Sequence, residues 1–135
     1  TETQLWGALK SALPTFHWQR IETITGSGVP DVNGCHAGIE VWLELKIIRG
    51  IGKPYFQSSQ GLTPVQCAWL ENRWRAGGRS FILGYWKDKE RLCVWRGNQA
   101  RELVGAGPNG CLPSAVFERP WDKERLRQTL VTRAS

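Results

Sequence analysis

The 135-residue chain has no methionine, two histidines and four cysteines. The initiator is therefore removed or lies outside the numbering. The cysteines stand at 35, 67, 93 and 111, and no two show the C-x₂₋₄-C spacing of a zinc site. His17 and His36 are not spaced as a helical or hairpin ligand pair, and Cys35-His36 reads either as half of a metal site or as a polar loop. No apolar run approaches the ~18–20 residues of a membrane span. The opening TETQLWGALKSAL has an acid at position 2 and lacks the basic-then-apolar layout of a secretory signal. These absences argue for reduced thiols in a cytoplasmic protein with no membrane partner.

What is present is ordinary globular material. Hydrophobic residues make up 41% and charged residues 22%, a balance that excludes disorder. The length suits one domain, residues 1–135, with enough surface to bury for a core without staples. The formal charge is +6, and its location says more than its size. Residues 73–101 carry eight basic side chains against Asp88 and Glu90, so the rest of the chain sums to zero. A localised basic excess suits a polyanion, or else is a solvated surface that keeps a small protein soluble.

Periodicity predicts a helix over 3–13, with Leu5, Trp6, Leu9 and Leu13 apolar and Pro14 as its stop. An extended segment over 16–24 follows, then a short one at 29–32 and a turn over 33–38. Residues 39–47 alternate strictly. Ile39, Val41, Leu43, Leu45 and Ile47 share a core face, while Glu40, Trp42, Glu44 and Lys46 share the other. Residues 49–61 read as a glycine-rich loop. A helix over 63–76 is marked by Thr63 as N-cap, Pro64 at the first position and Gly77-Gly78 at the stop, with Val65, Ala68, Trp69 and Asn72 on one face. A hairpin pairs 81–86 with 92–95, residues 97–117 read as irregular, and 120–132 as a helix. The order is α-β-β-β-α-β-β-α, an α/β fold with a mixed central sheet flanked by helices.

The chemistry concentrates on the second face of the 39–47 strand. Glu44 and Lys46 project side by side, and a hairpin from 29–32 would bring Asp31 beside Glu44. Two converging carboxylates repel unless a cation sits between them. Hard oxygen ligands suit Mg²⁺ or Mn²⁺, and a neighbouring lysine can orient or help deprotonate a water, or stabilise a phosphoryl transition state. The alternatives are an Asp31 that caps the Asn33-Gly34 turn and an exposed Glu44–Lys46 ion pair. Glu40 lies farther along the strand as a surface or outer group, Trp42 packs under a helix, and Gln66 is either a site contact or a polar helix residue. Arg20 precedes the site and is a candidate phosphate contact. Arg49 and Lys53 sit with Tyr55 and Phe56 on the loop that follows the strand, where they suit a backbone-tracking element or a dimer arm.

Pro30-Asp31, twelve residues, then Glu44-Leu45-Lys46 resembles the PD-(D/E)XK nuclease superfamily. GSGVPDVNG, IEVWLELK and the downstream LTPVQCAWLENRWRAGG resemble its Holliday-junction resolvase and VRR-NUC branches, over roughly residues 1–96. The resemblance implies a restriction-endonuclease-like core. It implies Asp31 and Glu44 as metal ligands with the Leu45 carbonyl, Glu2 as an outer ligand, Lys46 positioning the attacking water, and Gln66 at the site. The expected activity is Mg²⁺- or Mn²⁺-dependent DNA endonuclease cleavage, Holliday-junction resolvase-like. The expected partners are branched, four-way DNA and a second copy of the chain, since one site per domain requires a dimer for paired cuts. Such a protein would act in the cytoplasm, a phage protein in its host's included. Arg20, Arg49, Lys53, Arg73, Arg75 and Arg79 are the expected DNA contacts. Leu5, Trp6, Tyr55 and Phe56 are the expected apolar dimer contact. The other readings are a flap, nick or duplex nuclease, a non-catalytic basic nucleic-acid-binding module, and a structural subunit of a larger complex.

Overall fold

The computed structural model describes residues 1–21, 27–50 and 61–132. Six strands form one sheet in sequence order: β1 (His17–Arg20), β2 (Val32–His36), β3 (Ile39–Ile48), β4 (Arg79–Trp86), β5 (Arg91–Arg96) and β6 (Ala115–Glu118). Only β3 and β4 pair in parallel; the other neighbours are antiparallel. Among the described residues four α-helices flank the sheet: α1 (Glu2–Ala12), α2 (Pro64–Arg75), α3 (Ala100–Gly110) and α4 (Lys123–Val131). The expected α/β architecture, a mixed sheet between helices, is what the chain adopts. None of the described helices is long and apolar enough to cross a membrane.

Strand alternation sorts the core into two layers. Val41, Leu43 and Leu45 of β3, Phe81 and Leu83 of β4, and Leu92 and Val94 of β5 pack with Leu5 and Leu9 of α1 and Leu126 and Leu130 of α4. On the other face Ile48, Ile82, Trp86, Cys93 and Trp95 pack with Cys67 and Leu70 of α2 and Ala100 and Leu103 of α3. The central strands are therefore covered on both sides.

Four expectations need correction. Asn33-Gly34 is not a turn but the middle of β2, and the reversal lies at Ala37-Gly38. There both φ values are positive (52° and 81°), as a two-residue hairpin turn between paired His36 and Ile39 requires. Gly34 occupies the strand because Trp18 presses on it; a Cβ there would meet the indole at 2.4 Å. The second correction concerns residues 97–117, which hold α3 and β6 rather than irregular chain. Gly107, at φ 77°, and Pro108 break α3 into two short pieces, and burial of Ala100 and Leu103 overrides the weak helix propensity of Gly105, Gly107 and Pro108. Third, the core-facing residues of α2 are Cys67, Leu70 and Trp74, while Val65 is 47% exposed. Leu5, finally, is buried under the sheet and is not available as an exposed dimer contact. Trp6 is half-buried, edge-on to Trp18 at 5.6 Å. Tyr55 and Phe56 lie outside the described residues.

Gly34→Ala would force Trp18 or β1 outward, and overpacking of this kind costs ~1–3 kcal/mol. Urea denaturation should show the midpoint falling with the slope unchanged. An unmoved midpoint would mean that Trp18 does not rest on β2.

Candidate active site

Residues 42, 44 and 46 of β3 project toward α2, and there Glu44 and Lys46 are covered. Glu44 is 2% exposed and Lys46 8%. Their charges meet at 3.4 Å (Lys46 Nζ to Glu44 Oε2). The pair is buried, not the exposed pair of the bland alternative. An ion pair in this setting gains little net stability, because both charges are taken from water. The pair therefore adds little to the cohesion of the sheet.

β2 ends at Val32, opposite Leu43, so Asp31 stands opposite Glu44 one step beyond the ladder. The Leu45 N–H, which would have bonded to a continuing strand, donates instead to Asp31 Oδ2 at 3.0 Å. Asp31 is thus fixed by the backbone it faces, and it does not cap an Asn33-Gly34 turn. In extended backbone the N–H and C=O of one residue face the same strand edge, so the Leu45 carbonyl faces the same opening. Gly28, at φ 79°, lets the approach to Asp31 lie against α2; a Cβ there would meet Val65 Cγ1 and O at 2.7 Å.

Gln66 closes the site from the first turn of α2. Its Oε1 accepts the Thr63 N–H at 2.9 Å, completing the helix cap, and its Nε2 donates to Glu44 Oε2 at 3.2 Å. Both ends of the amide are engaged, which fixes its orientation. Of the two readings open for Gln66, the site contact is the one observed.

Burial, and then the negative charge of Asp31, push the Glu44 carboxyl up to about 8, against the opposing pull of Lys46; Glu2, exposed on the first turn of α1, adds a smaller upward push. A cation beside Glu44 and Asp31 would oppose both the burial and the repulsion that raise this carboxyl. The donors fit a hard divalent ion: two carboxylates and a carbonyl, all oxygen. Among the described residues no group of three or more His, Cys, Asp or Glu gathers as a metal cage. Asp31 and Glu44 are therefore the two acidic side chains that meet here, with the Leu45 backbone beside them.

The remaining candidates scatter. Glu40 is exposed four residues back along β3, ~13 Å away at the strand rise. Trp42 packs under α2, 5.2 Å from Trp69, and the Arg73 guanidinium lies over both rings at 5.4 and 4.6 Å. Arg75 is exposed and donates to Asn72 Oδ1. Arg79 donates through Nε to the Val131 carbonyl at 2.8 Å, tying the end of α4 to the sheet. Arg20 pairs with Val32 and so belongs to the sheet face away from Glu44. Arg49 is exposed just past β3, and Lys53 lies outside the described residues. His36 meets Thr15 Oγ1 through Nδ1 at 3.1 Å and stacks on Phe16 at 4.9 Å, a strand residue rather than half of a metal site. Burial pushes the Cys93 and Cys111 thiols up to about 11 and about 12, which removes them as nucleophiles. The hydrogen bond from the Leu45 N–H to Asp31 is a contact that the sequence did not reveal, because it depends on where the β2 ladder stops.

No protein-family model matches the chain, and no curated protein sequence does. Among solved structures, the Holliday junction resolvase Hjc of Archaeoglobus fulgidus, an archaeal hyperthermophile, superposes with a TM-score of 0.49 at 14% identity, over 70% of this chain and 74% of that one.

The raised Glu44 carboxyl carries a signature in pH. In the folded protein it stays protonated at pH values where the unfolded chain, near 4.5, has ionised. The folded state then binds more protons, so stability falls as pH rises from about 4.5 through about 8. Glu44→Gln removes that slope. Urea titrations in EDTA across this window should show the variant gaining on the parent as pH rises; parallel curves would mean Glu44 ionises normally.

Proposed function

We propose that this chain is a divalent-metal-dependent endonuclease of the PD-(D/E)XK type acting on DNA. The observation that carries the reading is the convergence of Asp31, opposite Glu44 beyond the end of β2, with the buried Glu44–Lys46 pair on the adjoining strand. Asp31, Glu44 and the Leu45 carbonyl would hold the ion, with Glu2 at its outer edge. A bound Mg²⁺ or Mn²⁺ would polarise the scissile phosphate and make a water acidic enough to attack. Lys46, with three donors and only one engaged by Glu44, orients that water or bears charge developing on the phosphate. Gln66 holds the Glu44 carboxylate still, which keeps the geometry set before substrate arrives. In the reaction a water oxygen bonds to phosphorus as the P–O bond to the leaving group breaks.

The finer reading is a junction-resolving enzyme: residues 1–135 form one domain with one site, and two copies cut opposing strands of a four-way junction. Arg49 just past β3 and Arg73 and Arg75 on α2, exposed on the elements that carry Glu44 and Gln66, support it. Arg20, Arg49, Arg73 and Arg75 are exposed cations among the DNA contacts we assign, and Lys53 and the half-buried Arg79 complete the set.

Incubation with a labelled four-way junction, a flap and a linear duplex, with and without Mg²⁺, tests both levels. Cleavage should require the metal. Asp31→Asn and Glu44→Gln should each lower the rate at least 10²-fold, as loss of a group that stabilises transition-state charge does, while circular dichroism stays native. Full activity in either variant would sink the assignment. Light scattering at micromolar concentration should give a dimer. A monomer that cuts duplex and junction alike would remove the resolvase level and leave the nuclease.

A further inference from the structure

A second cavity lies on the opposite face of the sheet. A half-open cavity of about 290 Å³ lies between α4, the end of α2, the start of β4, the end of β5 and the start of β6, with Arg96 and Arg125 on its walls and Trp74 and Phe81 at its floor. Phe81 pairs directly with Arg96 across β4 and β5, on the side of Leu83 and Val94, away from Glu44. This space is continuous with none of the residues assigned to phosphodiester cleavage.

Its chemistry is one-signed. The walls are completed by Ser114, Ala115, Gln128, Thr129 and Thr132, with no Asp or Glu among them. Neither guanidinium takes part in an ion pair among the described residues. Acids were close at hand: Glu118 pairs with Arg91, and Glu124 pairs with Arg127. Arg125 is also held in place. Its Nη2 donates to the Val116 carbonyl at 2.6 Å, and its guanidinium carbon lies 3.9 Å from the centre of the Phe117 ring. Arg96 lies 5.8 Å from the centre of Trp74. Two positioned forks with donors left over match the oxygens of a phosphate. The volume is at the low end of the ~300–1,000 Å³ of small-molecule sites, which suits one nucleotide and no more. Trp74 and Phe81, edge to face at 5.7 Å, supply an apolar wall for a base.

We infer that this cavity binds a single nucleotide, its phosphate between Arg96 and Arg125 and its base against Trp74 and Phe81. The nucleotide arrives free or as an unpaired unit of a strand. The inference stands apart from the cleavage reading, and it gives Arg96, part of the 73–101 basic stretch, a specific task. Nothing in the sequence signalled Arg125, because its partner walls come from three distant segments.

Calorimetric titration of the full chain with inorganic phosphate, dAMP and a short single-stranded oligonucleotide tests it. dAMP or the oligonucleotide should bind, and inorganic phosphate more weakly than either. Arg96→Gln should weaken that binding about ten- to a hundredfold, the loss expected for charge-assisted hydrogen bonds, and Arg96→Lys, which keeps charge but not the fork, should weaken it less. Should Arg96→Gln lower the unfolding midpoint, the lysine variant alone decides. Glu44→Gln should bind dAMP as the parent does, which separates this cavity from the cleavage site. Binding of dAMP and of the oligonucleotide identifies a site open to free nucleotide; binding of the oligonucleotide alone, still dependent on Arg96, identifies the strand as the source. No binding of any probe at millimolar concentration, phosphate binding as tightly as dAMP, or affinity indifferent to both Arg96 variants would overturn the inference.

Discussion

Glu44 is a carboxylate set into the middle of a sheet whose two faces are both covered, and the surrounding structure is arranged to tolerate it. Lys46 meets its charge on the same strand, Gln66 reaches down from the cap of α2 to hold one oxygen, and β2 stops one residue short so that Asp31 can approach from the side. A buried pair of this kind costs about as much in lost hydration as it returns in attraction. Stability comes instead from the apolar layers on either side, with Leu43, Leu45 and Leu83 below and Ile48, Leu70 and Ile82 above. The division of labour is clear along β3 alone, where alternate residues serve cohesion and chemistry.

Much of this was legible before any coordinates. The strand over 39–47 declared itself by alternation, α2 by Thr63, Pro64 and the Gly77-Gly78 stop, and the β4–β5 hairpin by its apolar runs. These are signals carried within a few residues. The failures came where the deciding contact was remote. Asn33-Gly34 imitates a turn, and only Trp18 arriving from another strand makes glycine necessary there. α3 contains Gly105, Gly107 and Pro108 and looks irregular until Leu103 and Ala100 are seen beneath it. The apolar face of α2 was misjudged because Val65 and Trp69 are more conspicuous than Cys67 and Leu70, yet the sheet takes the latter. For the site, Asp31, Glu44 and Lys46 could be read from register, and the meeting of Gln66 with Glu44 was open until the helix was placed.

Charge is distributed by task. Arg73 is laid over Trp42 and Trp69, Arg79 holds the last turn of α4, and Arg101 pairs with Glu71. The sequence shows one basic block, but the fold distributes it over two faces and an edge. The pairing of β3 with β4 then becomes the link between them, since Glu44 stands beside Ile82 and Phe81 beside Leu43. A ligand bound on either side of the sheet would press on the same two strands.

Asp31 has a double employment with consequences for how this chain can drift. Its carboxylate stands in for the carbonyl of a strand that is not there, accepting the Leu45 N–H. A buried N–H without a partner is costly, so position 31 resists replacement by apolar residues on grounds of folding alone. Asparagine preserves the acceptor and discards the charge. A chain with asparagine at 31 should therefore keep the join between β2 and β3 while losing the negative charge that faces Glu44.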